Sequence, residues 1–431
     1  MSEPLPSFSS SPFLRNFLTL FSGSLIAQAI PLAAAPFLAR LFSPHDFGVY
    51  EAFTAVAAVI AVVASMRYEL AIILPQRDED AFSIVVLATI ASLATTVLLS
   101  LCGYLFHEPL GNLFAIKESS LFFLLAPFLG FWLALVQIGH YWFTRRSRFT
   151  GIASRRVVQN GILTGTQLAT GANHFPGGCW GLITGALTGT SVGALWFFAV
   201  SYRDAAAYLQ NSSRWDVIRR VARRYREFPL KNLPAHLLNI VANQLPSILF
   251  ITLFDPISAG FYALTRRVLA TPLSFLADAV TDVFRQRASE DYHRTHTCRP
   301  IFIKTLKATL LLSLPPFLTL LFFAPTLFAF VFGEQWREAG RYAQLLAPMY
   351  AMRFLASPLG FVLIIAERQN FYLVWQALLF LLTISALIIG GATKSALICV
   401  GLFSGFYTIL YGWLILAAYR ATERKGKAIA S

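Results

Sequence analysis

Twelve times in 431 residues the chain runs apolar for about the 20 residues that a helix needs to cross hydrocarbon. Nothing else constrains the fold as strongly. Lipid offers no hydrogen bonds, so each such run must satisfy its own backbone, and a helix does this within one segment. The segments are 17–38, 49–66, 82–105, 120–142, 157–172, 179–201, 234–253, 257–280, 307–331, 339–366, 370–390 and 395–418. Segment 157–172 is the weakest, being short and rich in Gly, Thr and Gln. With 56% hydrophobic and 13% charged residues, the chain is expected to be an all-α polytopic membrane protein rather than a soluble domain.

The halves of this pattern echo each other. Phe42-x-Pro44-x3-Gly48-x-Tyr50 returns as Phe254-x-Pro256-x3-Gly260-x-Tyr262, an offset of 212 residues. Leu124-Leu125-Ala126-Pro127 returns as Leu345-Leu346-Ala347-Pro348, an offset of 221. Two matches in the same order at nearly one offset indicate a six-plus-six duplication, the construction of many secondary transporters. The expected organisation is a cytoplasmic N-terminal segment (1–16), a six-helix lobe (17–201), a basic amphipathic linker (202–233), a second six-helix lobe (234–418) and a basic tail (419–431). Ala27-Gln28-Ala29 mimics a signal-peptide cleavage site, but the apolar segment runs on to Arg40 and is read as a retained span.

Charge placement gives the orientation. With the N-terminus inside, most of the 35 Lys and Arg residues fall on the cytoplasmic side. Lys and Arg resist translocation, so both termini are expected in the cytoplasm. The net charge of +14 is then a property of one membrane face, and nucleic acid is not implied. In the linker, Trp215, Ile218, Ala222, Tyr225 and Phe228 recur at helical spacing among arginines. Such a helix is expected to lie on the membrane surface with its arginines toward anionic headgroups.

Function classes narrow by what the chain carries. Outer loops are short, the longest near 106–119, so there is no outer domain for catalysis. No Gly-rich phosphate cradle, no HExxH and no paired carboxylates at metal spacing stand out, and His107 and His293 sit apart from any nucleophile set. Cys102, Cys179, Cys298 and Cys399 show neither disulfide nor metal spacing. No cofactor or metal is expected. Prolines inside spans (Pro31, Pro127, Pro246, Pro272, Pro315, Pro316, Pro348, Pro358) bend helices, as a protein opening alternately to two sides requires.

Three arginines lie deep in spans: Arg266 and Arg267 in the eighth and Arg353 in the tenth. Burying each costs at least about 2.5–3.5 kcal/mol on insertion scales, so each needs a partner or a water-filled cavity. Arg267, Thr271, Ser274, Asp278, Asp282 and Arg285 follow steps of three and four and share one helical face. One alternative is local pairing, for example Arg267 with Asp278. The other is an anionic substrate, since guanidinium forks match phosphate oxygens. His236, Asn239 and Asn243 on the seventh span, with Ser24 and Gln28 on the first, offer uncharged hydrogen-bonding faces suited to sugar hydroxyls, or to interhelical contacts. Arg67 and Glu69 at the end of the second span form either a local pair or a gate. Arg67, Glu69, Asp278, Asp282 and Arg285 are thus the gating or ion-coupling candidates. Arg266, Arg267, Arg353, His236, Asn239, Asn243 and Gln28 are the substrate-binding ones.

Arg67-Tyr68-Glu69-x-Ala71-Ile72-x-Leu74-Pro75 resembles a motif of the bacterial polysaccharide-biosynthesis membrane proteins. These are the O-antigen and exopolysaccharide repeat-unit flippases of the multidrug/oligosaccharidyl-lipid/polysaccharide exporter superfamily. Phe332-Gly333-Glu334-x-Trp336-x2-Ala339-Gly340-x-Tyr342-Ala343 resembles it more specifically, followed by Leu346-x-Pro348, Ser357-Pro358-Leu359 and Glu367-Arg368-Gln369. Phe284-Arg285-Gln286 fits as well, and the resemblance covers essentially the whole chain. It implies a MATE-like fold of twelve helices in two six-helix lobes around a central cationic cavity. The implied substrate is an undecaprenyl-diphosphate-linked oligosaccharide, moved from the cytoplasmic to the outer leaflet of the inner membrane by alternating access. A proton or sodium gradient would drive it, with a polysaccharide polymerase and chain-length regulator as partners. Twelve spans argue against the fourteen-span peptidoglycan-precursor branch. The rivals are a membrane-embedded polymerase or ligase and a small-molecule exporter. The first would want a larger outer loop, and the second would want intramembrane carboxylates.

Overall fold

The computed structural model describes residues 12–114, 119–173, 178–209, 214–295, 297–366 and 368–423. Glu367 and the terminal segments 1–11 and 424–431 lie outside the described residues. The helices are α1 (Pro12–Leu41), α2 (Pro44–Ala64), α3 (Asp78–Leu105), α4 (His107–Phe114), α5 (Ser119–Arg145), α6 (Phe149–Ala172), α7 (Cys179–Leu209) and α8 (Arg214–Arg224). They continue as α9 (Leu233–Leu253), α10 (Pro256–Thr295), α11 (Arg299–Phe332), α12 (Arg337–Leu359), α13 (Phe361–Ile365), α14 (Gln369–Ala392) and α15 (Ala396–Arg420). Every expected apolar segment falls in a helix, with α12 and α13 sharing one. Among the described residues, nine helical stretches are long and apolar enough to cross a membrane; α6, α9 and α10 complete the expected twelve.

Both sequence echoes mark equivalent structural positions. Phe42-x-Pro44 and Phe254-x-Pro256 are helix junctions in which a capping residue precedes a proline in the first helical turn. Proline is tolerated there because its missing N–H would have no partner anyway. Ser43 caps α2 in a reciprocal box with Asp46: Asp46 N donates to Ser43 Oγ at 3.2 Å, and Ser43 N to Asp46 Oδ2 at 3.0 Å. Asp255 serves α10, accepting from Ser258 N at 2.8 Å. The second echo falls in α5 and α12. There Leu124 and Leu345 are each 37% exposed, while Ala126 and Ala347 are buried.

The chain divides into two compact units, Met1–Thr252 and Leu253–Ser431. The boundary falls after α9, one helix later than the linker at 202–233. Contacts from this region hold α9 to the first unit: Ser247 Oγ donates to Glu51 Oε1 on α2 at 2.9 Å, and Asn232 receives Arg67 Nε at 3.2 Å.

In the first unit, α6 lies between α1 and α7. Gly185, Gly189 and Gly193 of α7, four residues apart, face it; a Cβ on them would collide with Gln167, Leu163 and Gln159 respectively. Such small residues let helix backbones approach closely, which matters in lipid, where no hydrophobic drive pushes helices together. The polar residues that weakened segment 157–172 are used in this packing. Gln167 Nε2 donates to Leu182 O (3.0 Å), Thr170 to Gly181 O (3.1 Å) and Asn160 Nδ2 to Ala27 O (2.6 Å).

The linker helix α8 corrects an expectation. Its Val221 is buried, and Val217, Tyr225 and Phe228 pack on the core of the first unit around Tyr68, Trp142 and Phe143. The apolar face is therefore spent on protein. Trp215, assigned to that face by spacing, is instead 67% exposed.

In the second unit, the Phe332–Ala343 motif builds the α11–α12 junction. Gly333 takes φ 110°, a conformation that side chains rarely adopt. Trp336 is buried edge-on to Phe261 at 6.1 Å, and Gly340 lies where a Cβ would strike the Ala324–Pro325 backbone of α11.

Candidate functional site

At the end of α2 the chain makes a strained turn. Met66 (φ 50°) and Arg67 (φ 61°) are consecutive non-glycine residues in the left-handed region, at a cost of about 1–3 kcal/mol each. A 3-10 turn, Tyr68–Ile73, follows. Two devices hold it. Arg67 Nη1 bonds Glu69 Oε1 at 3.0 Å while its Nε reaches Asn232. From α5, Arg145 donates to the carbonyls of Pro75 (2.7 Å) and Ile73 (3.2 Å) and to Asp78 Oδ1 (2.8 Å). Arg146 takes the other oxygen of Asp78 at 2.6 Å and lies over the Trp142 ring at 5.7 Å.

Glu69 is 1% exposed. Burial pushes its carboxyl above the usual carboxylate range, against the pull of the Ser65 hydroxyl and the Arg67 guanidinium. A half-buried His236 on α9 lies within electrostatic reach of Arg67. The structure thus places His236, a substrate-binding candidate by sequence, within electrostatic reach of the Arg67–Glu69 gating pair. All belong to the first unit.

The other expected residues fall out as follows. Gln28 is exposed on α1, and Asn243 is exposed on α9. The side chains of Asn239, Asp278 and Asp282 lie outside the described residues. Of the α10 stripe, Ser274 Oγ turns back to the Thr271 carbonyl (2.9 Å), and the Arg285 guanidinium lies 4.9 Å over the Phe361 ring. Arg266 and Arg267 are half-buried, whereas Arg353 on α12 is exposed. Neither Arg267 nor Arg353 has an ion-pair partner among the described residues. Arg353 does lie within electrostatic reach of Tyr407 and Tyr411 on α15. Those rings belong to an aromatic row in which Tyr407–Tyr411 and Trp375–Tyr411 centroids are 6.0 and 5.4 Å apart.

Two features escaped the sequence reading. Glu51, a carboxylate inside the second span, meets Ser247 of α9; an acidic residue within an apolar segment was the available signal. Arg155 and Arg156 were counted with the cytoplasmic loop. The structure places them two turns inside α6, with Arg155 buried.

A helical chain with a duplicated order of long apolar helices defines a class, the multi-pass membrane proteins. Its family is explicit: residues 37–341 match the polysaccharide biosynthesis protein family, and the chain belongs to it. Among curated relatives it is similar to the succinoglycan biosynthesis transport protein ExoT of Rhizobium meliloti (strain 1021). The two are 22% identical over 413 residues, covering 93% of this chain and 80% of ExoT. Among solved structures it resembles the lipid II flippase MurJ in an inward closed conformation, with a TM-score of 0.70 at 15% identity. That match covers 92% of this chain and 87% of MurJ. It also resembles an inward-facing multidrug-resistance MATE transporter of the MOP superfamily, with a TM-score of 0.63 at 13% identity and coverage of 93% and 96%. At these identities the solved structures establish the fold, and that fold is the MATE-like one. The protein is a transporter of polysaccharide biosynthesis, not an enzyme.

Proposed function

We propose that the protein flips a lipid-linked oligosaccharide repeat unit, carried on undecaprenyl diphosphate, from the cytoplasmic to the outer leaflet for surface polysaccharide assembly. The observation that carries this reading is the pair of cations in the second unit. Arg267 sits within α10 and Arg353 within α12, and neither has an ion-pair partner among the described residues. A guanidinium held in a membrane helix without a counter-charge favours an anionic ligand, and its fork matches phosphate oxygens. The diphosphate meets these arginines, the sugars take the polar interior, and the polyprenyl chain stays in lipid. Both termini face the cytoplasm of the inner membrane, in line with the distribution of Lys and Arg. A proton or sodium gradient drives the cycle, and the outer-leaflet product passes to a polymerase and its chain-length regulator. The Arg67–Glu69 pair with His236 acts as a latch on the cytoplasmic side.

The test is a deletion strain in which the lipid-linked precursor is quantified on each leaflet. Single repeat units trapped on the inner leaflet support the proposal. Units that reach the outer leaflet unpolymerised contradict it.

A further inference from the structure

A further unexplained charge lies within the first unit. Arg155 is 5% exposed. One of its donors, Nη1, is held by the neutral Gln159 Oε1, and its buried Nε has no hydrogen-bond partner among the described residues. The next residue, Arg156, donates through Nη1 to the Ser24 hydroxyl of α1. His140 of α5 lies within electrostatic reach of both guanidinium groups, and its Nδ1 is buried, also without a partner among the described residues. No carboxylate pairs with either arginine among those residues.

Glutamine and serine dipoles satisfy single N–H groups but cancel no net charge. A buried cation therefore sits beside a half-buried one, with Arg155 Nε left over, an arrangement that is costly when empty and favourable around an anion. The types of donor suit one kind of anion. Arg155 Nε, the Arg156 fork, His140 as its Nδ1–H tautomer and the Ser24 hydroxyl come from three helices, as a tetrahedral oxyanion with several acceptor oxygens requires. A planar carboxylate would use fewer of them. Arg155 lies six residues into α6, about 9 Å along the helix. That end of the unit also carries Arg145, Arg146 and Arg148.

We propose that Arg155, Arg156, His140 and Ser24 form a phosphoryl-binding site inside the first unit, at which the diphosphate of the lipid-linked substrate is first held before it reaches Arg267 and Arg353. The loading role rests on the flippase reading; the binding itself does not. Phospholipid headgroups present the same phosphoryl chemistry, so the experiment separates the two sources.

The full-length protein in detergent is titrated with inorganic pyrophosphate, against sodium chloride at matched ionic strength, and thermal unfolding is followed. We expect a rise in Tm specific to pyrophosphate in the wild type. Arg155→Met and Arg156→Gln should each weaken the apparent affinity about tenfold or more, as expected from loss of a charge-assisted contact. Arg155→Met should also match or exceed the wild-type Tm without phosphate, because it removes an uncompensated buried charge. Arg267→Gln should retain high-affinity binding at this site. In nanodiscs, stabilisation by undecaprenyl diphosphate but not by phosphatidylglycerol supports the substrate as the source. Stabilisation by phosphatidylglycerol overturns the loading role. No pyrophosphate-specific shift in the wild type, or a full shift in both Arg155→Met and Arg156→Gln, overturns the site. A wild type that flips substrate yet shows no shift loses this site and keeps the flippase reading. A shift abolished by Arg155→Met in a protein that moves no lipid-linked sugar keeps the site and loses that reading.

Discussion

The last two helices of each repeat, α6 with α7 and α14 with α15, hold the same place in the duplicated order and have diverged in opposite directions. In the first repeat, α6 is polar along one side and sandwiched by α1 and α7, and glycines at four-residue spacing on α7 let the backbones close up. In the second, α14 is apolar and shows lipid-type residues such as Leu373 and Ile388 at its surface. Gly401 and Gly405 of α15 repeat the four-residue spacing, but a Cβ on either would meet nothing within 4 Å. Duplication preserved the capped junctions and the buried alanines of the echoes. Charge was redistributed: among the described residues, the cations without an ion-pair partner are Arg155 and Arg156 on α6 in the first repeat, and Arg267 on α10 and Arg353 on α12 in the second. Spacing alone therefore does not make a packing motif; the facing helix does.

The comparison can be broken most severely at the cations of the second repeat. Arg353→Ala should abolish transport at normal expression, and Arg267→Glu should be worse than Arg267→Gln, measured as outer-leaflet substrate. Equal effects of the two Arg267 variants would reduce that residue to packing. In the first unit, Arg67→Ala leaves Glu69 buried without its partner and should cost about 3–5 kcal/mol in denaturant unfolding.

The same carboxyl gives a pH test. Burial raises its folded-state pKa above the ordinary 4.5, so the folded protein holds this proton more tightly than the unfolded chain does. The linked stability is full below 4.5 and is lost as pH rises through the raised value. Glu69→Gln should remove that slope, seen as Tm against pH.

Smaller effects sharpen the glycine contrast. Gly189→Ala must displace the α6 backbone and should destabilise by about 1–3 kcal/mol. Gly405→Ala should be neutral or stabilise by up to about 1 kcal/mol, because alanine favours helix and the space is open. Thermal unfolding of the two variants side by side decides this. Smallest of all, Ser43→Ala and Asp255→Ala should each cost about 1 kcal/mol by the same assay. Clearly unequal losses would show that the two junctions no longer do the same job.

Sequence reached the helices because a membrane span announces itself over about 20 residues, and the duplication because two short proline-containing motifs recur in the same order at nearly one offset. It read α6 as the doubtful span for the right observation, its Gly, Thr and Gln content, but could not see that α1 and α7 absorb those groups. It placed Trp215 on the apolar face of a membrane-surface helix, whereas Val217 and Val221 of α8 pack on protein and Trp215 is exposed. It found the Arg67–Glu69 pair, two residues apart. It could not join His236 to that pair, because nearly 170 positions separate it from Arg67. Arg155 and Arg156 were missed because charge counting assigns an arginine near a span end to the loop, while only packing reveals that α6 begins at Phe149.

Reconstitution of the purified protein in liposomes with an undecaprenyl-diphosphate-linked oligosaccharide tests the central claim most directly. The amount of substrate reaching the opposite leaflet is followed for the wild type and for Arg353→Ala folded to the same Tm. We expect translocation by the wild type alone. Movement of the lipid-linked sugar at the protein-free rate in wild-type liposomes, or undiminished movement in Arg353→Ala, would contradict a flippase that reads the diphosphate through Arg267 and Arg353.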